Sequence, residues 1–501
     1  MRDADALAWN MEHDPGLRST IVGVAWLANR PDADVLARRL ERATRLAPRF
    51  RQRPVATPGR LSTPRWVDCP FDLSLHLRRI EAPEPRTTET VLAVARAEAM
   101  TEFDPSRPLW KFTLVEGLAG DRAALVMKVH HSLTDGLGGM QLALLVFETT
   151  EDPDLGDEVT EPEVEPTPSA LGLAREAGAY SVARVTDAVA AGFRNLGPAA
   201  TEAVRHPLRT ALDTMATVSS LGRFVHPVAD TLSPVMTERG LDRHLDLIEV
   251  RLDDLKIAGA SVGGTLNDAF VASITGGLRR YHEHHGASVD ELRVTMPISL
   301  RRPEDPLGGN RITLERFVVP VGERDPSARV RITGWRCRAA RNEEALPLSD
   351  VVAGMLNLLP SSVIGSMLKH VDFLASDVPG VTVPLYLGGA RVLGYHAFGP
   401  TTGAAFNATL VSYDGVCAIG CTIDTAAVPD PERLMACLRE GFDEVLVLAG
   451  DFTPAASLVA SGHMRADDDR REAERSDPGP LRKMTPRTNS RGSASTVLAS
   501  R

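Results

Sequence analysis

Residues Val129 to Gly139 read VHHSLTDGLGG, and His130, His131, Asp135 and Gly136 within them form the pattern His-His-x-x-x-Asp-Gly. An apolar run of strand character, AALVMKV from Ala123 to Val129, leads into it, and GMQLALLVFETT from Gly139 reads as the helix that leaves it. A fold that accommodates this segment ends a strand in two imidazoles and then starts a helix. A strand end holds a side chain firmly while leaving it open to a cleft, and an imidazole with an ordinary pKa of about 6.5 is mostly neutral and basic at pH 7. No serine or cysteine stands beside it at matching strand-to-helix geometry, so the simplest chemistry is direct general-base catalysis without a covalent intermediate. Adjacent side chains on a strand face opposite ways, so one histidine faces substrate and the other packs or anchors the turn. The plainer alternative is a polar turn in which Asp135-Gly136 is ordinary turn chemistry.

Length and composition agree with an enzyme of two domains. Single hydrophobic cores stop growing near roughly 250 to 300 residues, and this chain has 501 residues with 43% hydrophobic content. A net charge of -10 gives no basic footprint for nucleic acid. The five cysteines (Cys69, Cys337, Cys417, Cys421, Cys437) are scattered, odd in number and without paired metal spacing, which suits a reducing cytosol. MRDADALAWNMEHD at the N-terminus lacks the basic and apolar regions of a signal peptide, and no stretch reaches roughly 18 uninterrupted apolar residues. A cytoplasmic protein is expected, with peripheral contact to a membrane or lipid droplet left open.

Strand and helix patterns alternate through residues 1–150. Pro31 to Pro48 reads as a helix with Leu36, Leu40 and Ala43 on one face, and Lys111 to Val129 reads as two strands joined at Ala119-Gly120-Asp121-Arg122. Residues 151–168 are acidic and carry four prolines, a solvated linker. Residues 169–240 read as a helical crossover segment, packed on the body or lying on a lipid surface. The second half, 241–450, opens with a strand at Asp246 to Leu252 and a helix. Thr265 then caps a further helix whose Leu266, Phe270, Ile274 and Leu278 recur every four residues up to Gly286. Asn267 and Asp268 fall in its first turn, where free amide groups and the dipole favour negative charge. Asn267 is thereby a candidate oxyanion or substrate-positioning donor; the alternative is that both residues support the cap. Strands are expected at Leu292 to Ile298, Phe317 to Val321 and Arg391 to Tyr395, and Ala404 to Ser412 and Val416 to Ile423 form a hairpin around Tyr413-Asp414-Gly415. Residues 451–501 turn polar and read as a disordered tail.

Two other patterns compete for attention. Gly259-Ala260-Ser261-Val262-Gly263 fits the G-x-S-x-G nucleophile elbow of hydrolases, but an elbow needs a strand immediately before the serine, and Asp253 to Ala258 looks helical. His282, His284 and His285 end a helix, where imidazoles suit the negative end of the dipole; with no nearby cysteine and only loose spacing they read as surface histidines, not a metal site.

The His-His-x-x-x-Asp-Gly pattern resembles the active-site signature of the CoA-dependent acyltransferase superfamily, and the flanking residues resemble its bacterial wax ester synthase/diacylglycerol acyltransferase family. Those residues are Pro108-Leu109-Trp110 within FDPSRPLWKFTLVEGL, Asn267-Asp268 in TLNDAF, and MPISLR from Met296 to Arg301 followed by Gly309-Asn310. SDVPG from Ser376 to Gly380, PLYLGG from Pro384 to Gly389, and SYDG from Ser412 to Gly415 complete the series. The resemblance runs over about residues 1 to 450 in order and spacing. It departs at Gly16 to Gly23, GLRSTIVG, where the family carries a Pro-Met-His segment, and at Thr237-Glu238-Arg239-Gly240, where it carries a basic stretch. The resemblance implies an α/β, two-domain chloramphenicol acetyltransferase-like fold with an active-site tunnel between the halves. It makes His131 the general base, Asp135 a structural residue paired with an arginine (Arg301 being our candidate), and Asn267, Asp268 and the Pro108 to Trp110 segment contributors to substrate binding. Gly136 would allow the tight turn. The donor would be a long-chain acyl-CoA, and the acceptor diacylglycerol first and a fatty alcohol second, with no metal or redox cofactor. A non-catalytic lipid-binding protein of the same fold is the alternative from another class.

Overall fold

In chain order the elements begin with α1 (Asp3–Met11), β1 (Thr20–Leu27), α2 (Ala33–Leu46), β2 (Gln52–Val55), β3 (Arg65–Asp68), β4 (Leu77–Glu81), α3 (Thr88–Met100), β5 (Trp110–Leu118), β6 (Arg122–His130) and α4 (Gly136–Val146). There follow β7 (Arg243–Arg251), α5 (Leu252–Ser261), α6 (Leu266–His284), β8 (Glu291–Ser299), β9 (Ile312–Pro320) and α7 (Pro326–Arg341). The series ends with β10 (Phe373–Val381), β11 (Tyr386–Leu387), β12 (Ala390–Phe398), β13 (Phe406–Tyr413), β14 (Val416–Asp424) and α8 (Pro431–Leu446). This computed structural model describes residues 1–57, 62–151, 159–160, 172–173, 175, 230–299, 312–342, 357 and 370–452. Most of the 151–168 linker and the 169–240 crossover, together with Arg301, Gly309-Asn310 and nearly all of the 451–501 tail, lie outside those residues.

Local chemistry sets the elements. Asp32 caps α2 by accepting the Asp34 and Val35 amides at 2.9 Å, and Leu36, Leu40 and Ala43 form its buried face. A tight turn at Gly120 and Asp121, both at positive φ, joins β5 to β6. Thr265 and Asp268 cap α6 reciprocally: the Asp268 amide donates to Thr265 Oγ1 at 3.2 Å and the Thr265 amide donates to Asp268 Oδ2 at 2.9 Å.

Two six-stranded mixed sheets organise the chain, in the orders β11-β12-β1-β6-β5-β4 and β7-β14-β13-β10-β8-β9. Sheet membership does not follow the division of the chain at residue 241, because β11 and β12 belong to the sheet built by the N-terminal residues. There β12 lies antiparallel to β1, with Val24 opposite His396. The sheets approach closely at this crossing. A Cβ on Gly420 of β14 would stand 2.2 Å from the Ala397 carbonyl oxygen of β12, so only glycine fits. One core gathers α5, α6 and α8 on the second sheet around Phe270, Phe373, Phe406 and Phe442, and two others lie on either face of the first.

Candidate active site

The end of β6 holds both motif histidines. The His130 amide donates to the Leu109 carbonyl at 3.0 Å and the His131 amide to the Ser19 carbonyl at 2.8 Å, so the residues just before β5 and β1 fix the main chain here. Their side chains part. His130 is fully buried, between the rings of Trp9 and Phe103 with centroids 5.5 and 5.6 Å away. Its Nδ1 accepts the Ser132 amide at 3.1 Å, which puts the ring hydrogen on Nε2, and Nε2 lies 3.3 Å from Glu12 Oε2. That same carboxylate oxygen accepts the Ser19 amide at 3.3 Å. Glu12 therefore braces both His130 and the residue whose carbonyl holds His131.

His131 lines a cavity of about 830 Å³ whose walls come from both sheets. Its ring donates to its own backbone carbonyl. Only Nδ1 can reach that oxygen, so in the neutral ring the lone pair is on Nε2. Burial pushes the imidazole pKa below its ordinary value, against the opposing pull of the Asp135 charge. The ring is thus held neutral at pH 7, as proton abstraction requires.

Asp135 is buried and caps α4, its Oδ1 accepting the Gly138 amide at 2.7 Å. The helix therefore begins at Gly136, three residues before the Gly139 start read from sequence. Gly136 does not serve a left-handed turn. It is small because β10 passes against it: a Cβ there would lie 2.7 Å from Val378 Cγ2. This contact sets the start of the motif helix against the second sheet.

On the opposite wall, β10 pairs with β8 only at Phe373 with Val294 and Leu374 with Thr295. Beyond that point the two strands part, and residues 295–299 and 376–379 line the cavity from either side of the gap. Further lining comes from Asn267 in the first turn of α6 and Arg341 at the end of α7. Asn267 shares the cavity with His131, and its side chain is hydrogen-bonded to Cys337. Asp268 is not among the lining residues; its carboxylate is committed to the cap and lies 3.6 Å from Arg338. Asp377 does line the cavity. Burial raises its carboxyl to about 6, with the Arg341 charge pulling the other way.

The Pro108-Leu109-Trp110 segment does not reach the cavity either. Leu109 and Trp110 are core residues, the indole stacking on His76 at 4.6 Å and donating to the Phe50 carbonyl at 2.9 Å. Phe50 and Phe112, packed against that indole, do line the cavity, so the segment shapes the wall from behind. Glu12 was not singled out from the sequence, since a lone acidic residue carries no pattern, and Asp377 stood within the quoted SDVPG segment with no role assigned to it. His282 is a further correction: it is fully buried, its Nδ1 donating to the Leu278 carbonyl at 2.8 Å while Nε2 meets Ser233 Oγ at 2.7 Å. Ser261 of the G-x-S-x-G pattern ends helix α5 with its hydroxyl on the Ala258 carbonyl, so no nucleophile elbow exists there. Among the described residues no cluster of metal ligands occurs and no helix is long and apolar enough to cross a membrane.

Two mixed sheets enclosing a cavity lined by a strand-end histidine make up a CoA-dependent acyltransferase-like fold, and solved structures share it. A wax ester synthase/diacylglycerol acyltransferase from Marinobacter aquaeolei VT8 aligns over 89% of this chain and 99% of its own, with a TM-score of 0.58 at 21% identity. The first condensation domain of the calcium-dependent antibiotic synthetase aligns over 92% and 97%, with a TM-score of 0.57 at 15% identity. Residues 1–270 match the family model of the wax ester synthase/diacylglycerol acyltransferase catalytic domain, and residues 308–445 match that of the WS/DGAT C-terminal domain. A Mycobacterium tuberculosis (strain H37Rv) protein whose name assigns it provisionally as a diacylglycerol O-acyltransferase is 34% identical over 457 residues, covering 90% of this chain and 92% of its own. Another of that strain, provisionally named alike, is 29% identical over 431 residues, covering 82% and 88%. The chain belongs to the wax ester synthase/diacylglycerol acyltransferase family, and it is an acyltransferase.

Proposed function

We propose that this enzyme transfers a long-chain acyl group from acyl-CoA to diacylglycerol, giving triacylglycerol, with a fatty alcohol as the second acceptor, giving a wax ester. The observation that carries this reading is the placement of His131, held neutral by burial, in the wall of a largely apolar cavity of about 830 Å³. That size is at the upper end of the roughly 300 to 1,000 Å³ usual for small-molecule sites.

In this mechanism His131 Nε2 removes the proton from the acceptor hydroxyl as its oxygen attacks the thioester carbonyl carbon. A tetrahedral oxyanion forms and collapses, the carbon–sulfur bond breaks, and the proton on His131 passes to the departing CoA sulfur. Asn267, at the N-terminus of α6, is our candidate donor to the oxyanion. Asp135 acts through the backbone: by capping α4 it holds the turn that carries His131. Glu12 positions the same turn from behind through His130 and Ser19. No metal or redox cofactor enters this scheme.

Thiol release from palmitoyl-CoA by the purified protein tests the reading, with diacylglycerol and hexadecanol offered separately and His131→Ala alongside. Release with one acceptor, abolished in the variant, names the ester and the base. No release with either acceptor from a folded protein overturns lipid acyl transfer in favour of another alcohol.

A further inference from the structure

Helix α7 carries no acidic residue along its sixteen positions but five arginines: Arg329, Arg331, Arg336, Arg338 and Arg341. Three of them meet carboxylates on the body of the protein, Arg338 at the longest distance. Arg329 is fully buried against Glu444 at 2.7 Å, and Arg336 reaches Glu291 at 2.7 Å. Val330, Thr333, Gly334 and Ala340 are the inward face. The outward face presents Arg331, Ile332, Trp335, Arg338 and Ala339, spaced so that they share one side of the helix. Trp335 is 62% exposed, more than any other large apolar side chain among the described residues, and Ile332 is 37% exposed. The Arg338 side chain is 58% exposed despite its 3.6 Å approach to Asp268. On a chain of net charge -10, an acid-free strip combining a bare indole with guanidinium groups is out of character. It also has a definite place. Arg341, the last residue of the helix, is exposed and at the same time part of the cavity wall, so this end of α7 joins the cavity wall to the protein surface.

We propose that the outward face of α7 docks on an anionic phospholipid bilayer and brings the cavity wall at Arg341 close to the lipid that supplies the acyl acceptor. An indole settles at the headgroup level, where its apolar body and N–H are both accommodated, and Ile332 adds apolar depth. Guanidinium groups are drawn to anionic headgroups, each contributing roughly a fivefold gain in affinity near the surface. Charge complementarity thus selects an anionic bilayer over a zwitterionic one. Delivery of the acceptor rests on the lipid acyl transfer proposed above; the docking itself does not.

The test is co-sedimentation of the full chain with vesicles of phosphatidylcholine alone and of phosphatidylcholine with phosphatidylglycerol, at low and high salt. Wild type is compared with Trp335→Ala, Arg331→Glu and the double variant. Neither residue lines the cavity, so thiol release with detergent-dispersed acceptor serves as the check that both variants are folded and active. The expected result is at least tenfold tighter binding to the phosphatidylglycerol vesicles, weakened by salt. Each single variant should then lose roughly fivefold or more and the double variant more than tenfold, with thiol release unchanged. Equal binding to both vesicles, no binding by wild type, or variants that bind as wild type does would overturn the proposal. So would loss in Trp335→Ala of a concentration-dependent dimer, which would assign the face to a second copy. Variants that raise only the KM for acyl-CoA and keep full vesicle affinity would likewise reassign the strip, to the CoA phosphates. Vesicle binding lost in the variants while wild type releases no thiol would support the docking and sink the acyl-transfer reading.

Discussion

His130, beneath the catalytic cavity, and His396, at the seam between the sheets, are built alike. Each is fully buried, each places Nε2 3.3 Å from a glutamate oxygen (Glu12 and Glu249 respectively), and each accepts an N–H at Nδ1, from the Ser132 backbone in one case and the Trp26 indole at 3.1 Å in the other. Neither pair is well enough aligned at Nε2 to count as a full hydrogen bond. What differs is what lies one step beyond. His130 adjoins the residue whose imidazole enters the cavity, whereas His396 joins β12 of one sheet to Glu249 on β7 of the other. A buried histidine–glutamate pair is therefore no mark of catalysis by itself. Its role is set by what it holds in place.

Four experiments sharpen or break this contrast. The largest effect belongs to His131, the proposed base: His131→Ala should lower kcat by roughly 100- to 10,000-fold, with little change in its urea unfolding free energy. At the seam the ranking should invert. His396→Ala removes one partner of a buried pair and should cost about 3 to 5 kcal/mol in urea unfolding, with little change in kcat for the protein that remains folded. A loss of kcat without loss of stability at His396 would erase the distinction.

The third experiment concerns a carboxyl with no glutamate–histidine arrangement to support it. Asp377 has a folded pKa raised to about 6 by burial, above the ordinary 3.8. Its raised pKa favours folding below 3.8, and that contribution is lost as pH rises through 6, above which the native state carries an unfavourably placed charge. Asp377→Asn should therefore stabilise the protein by about 3 kcal/mol at pH 8, with the gain shrinking as pH falls toward 4. Unfolding curves at the two pH values measure it; a loss at pH 8 would mean the carboxylate has a compensating partner. The smallest effect is expected at Glu12. Glu12→Gln keeps the shape but weakens the brace on His130, and kcat should fall about tenfold with KM unchanged. In wild type and this variant alike, the acid limb of kcat/KM should lie below about 6.5, because burial lowers the His131 pKa and activity is lost as the base protonates. An acid limb shifted in Glu12→Gln would show that Glu12 sets the basicity of His131 and not only its position.

Local signals carried far in this sequence, and their reach ended where the tertiary fold took over. The strand running into His130, the cap at Thr265 and the hairpin at Tyr413-Asp414-Gly415 were legible because each is fixed by neighbours within a few residues. Asp135 was legible as structural, yet its use as the α4 cap depends on where the helix starts, and the Gly-rich run hid that boundary. Leu109 and Trp110 carry a strong motif and turn out to sit one layer behind the cavity wall, a distinction that needs the packing of Phe50 and Phe112 to see. His282 looked like a surface residue at a helix end until Ser233, 49 positions away, closed over it. Glu12 carries no local pattern and Asp377 stands in SDVPG without a local sign of its role; only the chain crossings that bring β1 to β6 and β10 to the gap beside β8 give them meaning.

The passage of β12 into the sheet of the N-terminal residues bears on how this enzyme can be handled. Between β12 and β6, β1 is a covered inner strand from Val22 to Leu27. A fragment ending before residue 386 would turn it into a bare edge of apolar residues, Val22, Val24 and Trp26 among them, with unpaired backbone groups ready to recruit another chain. The two matched family segments are thus not separable pieces: expressed alone, the first would be expected to aggregate, and co-expression of the second would rescue it only by restoring the missing neighbour of β1.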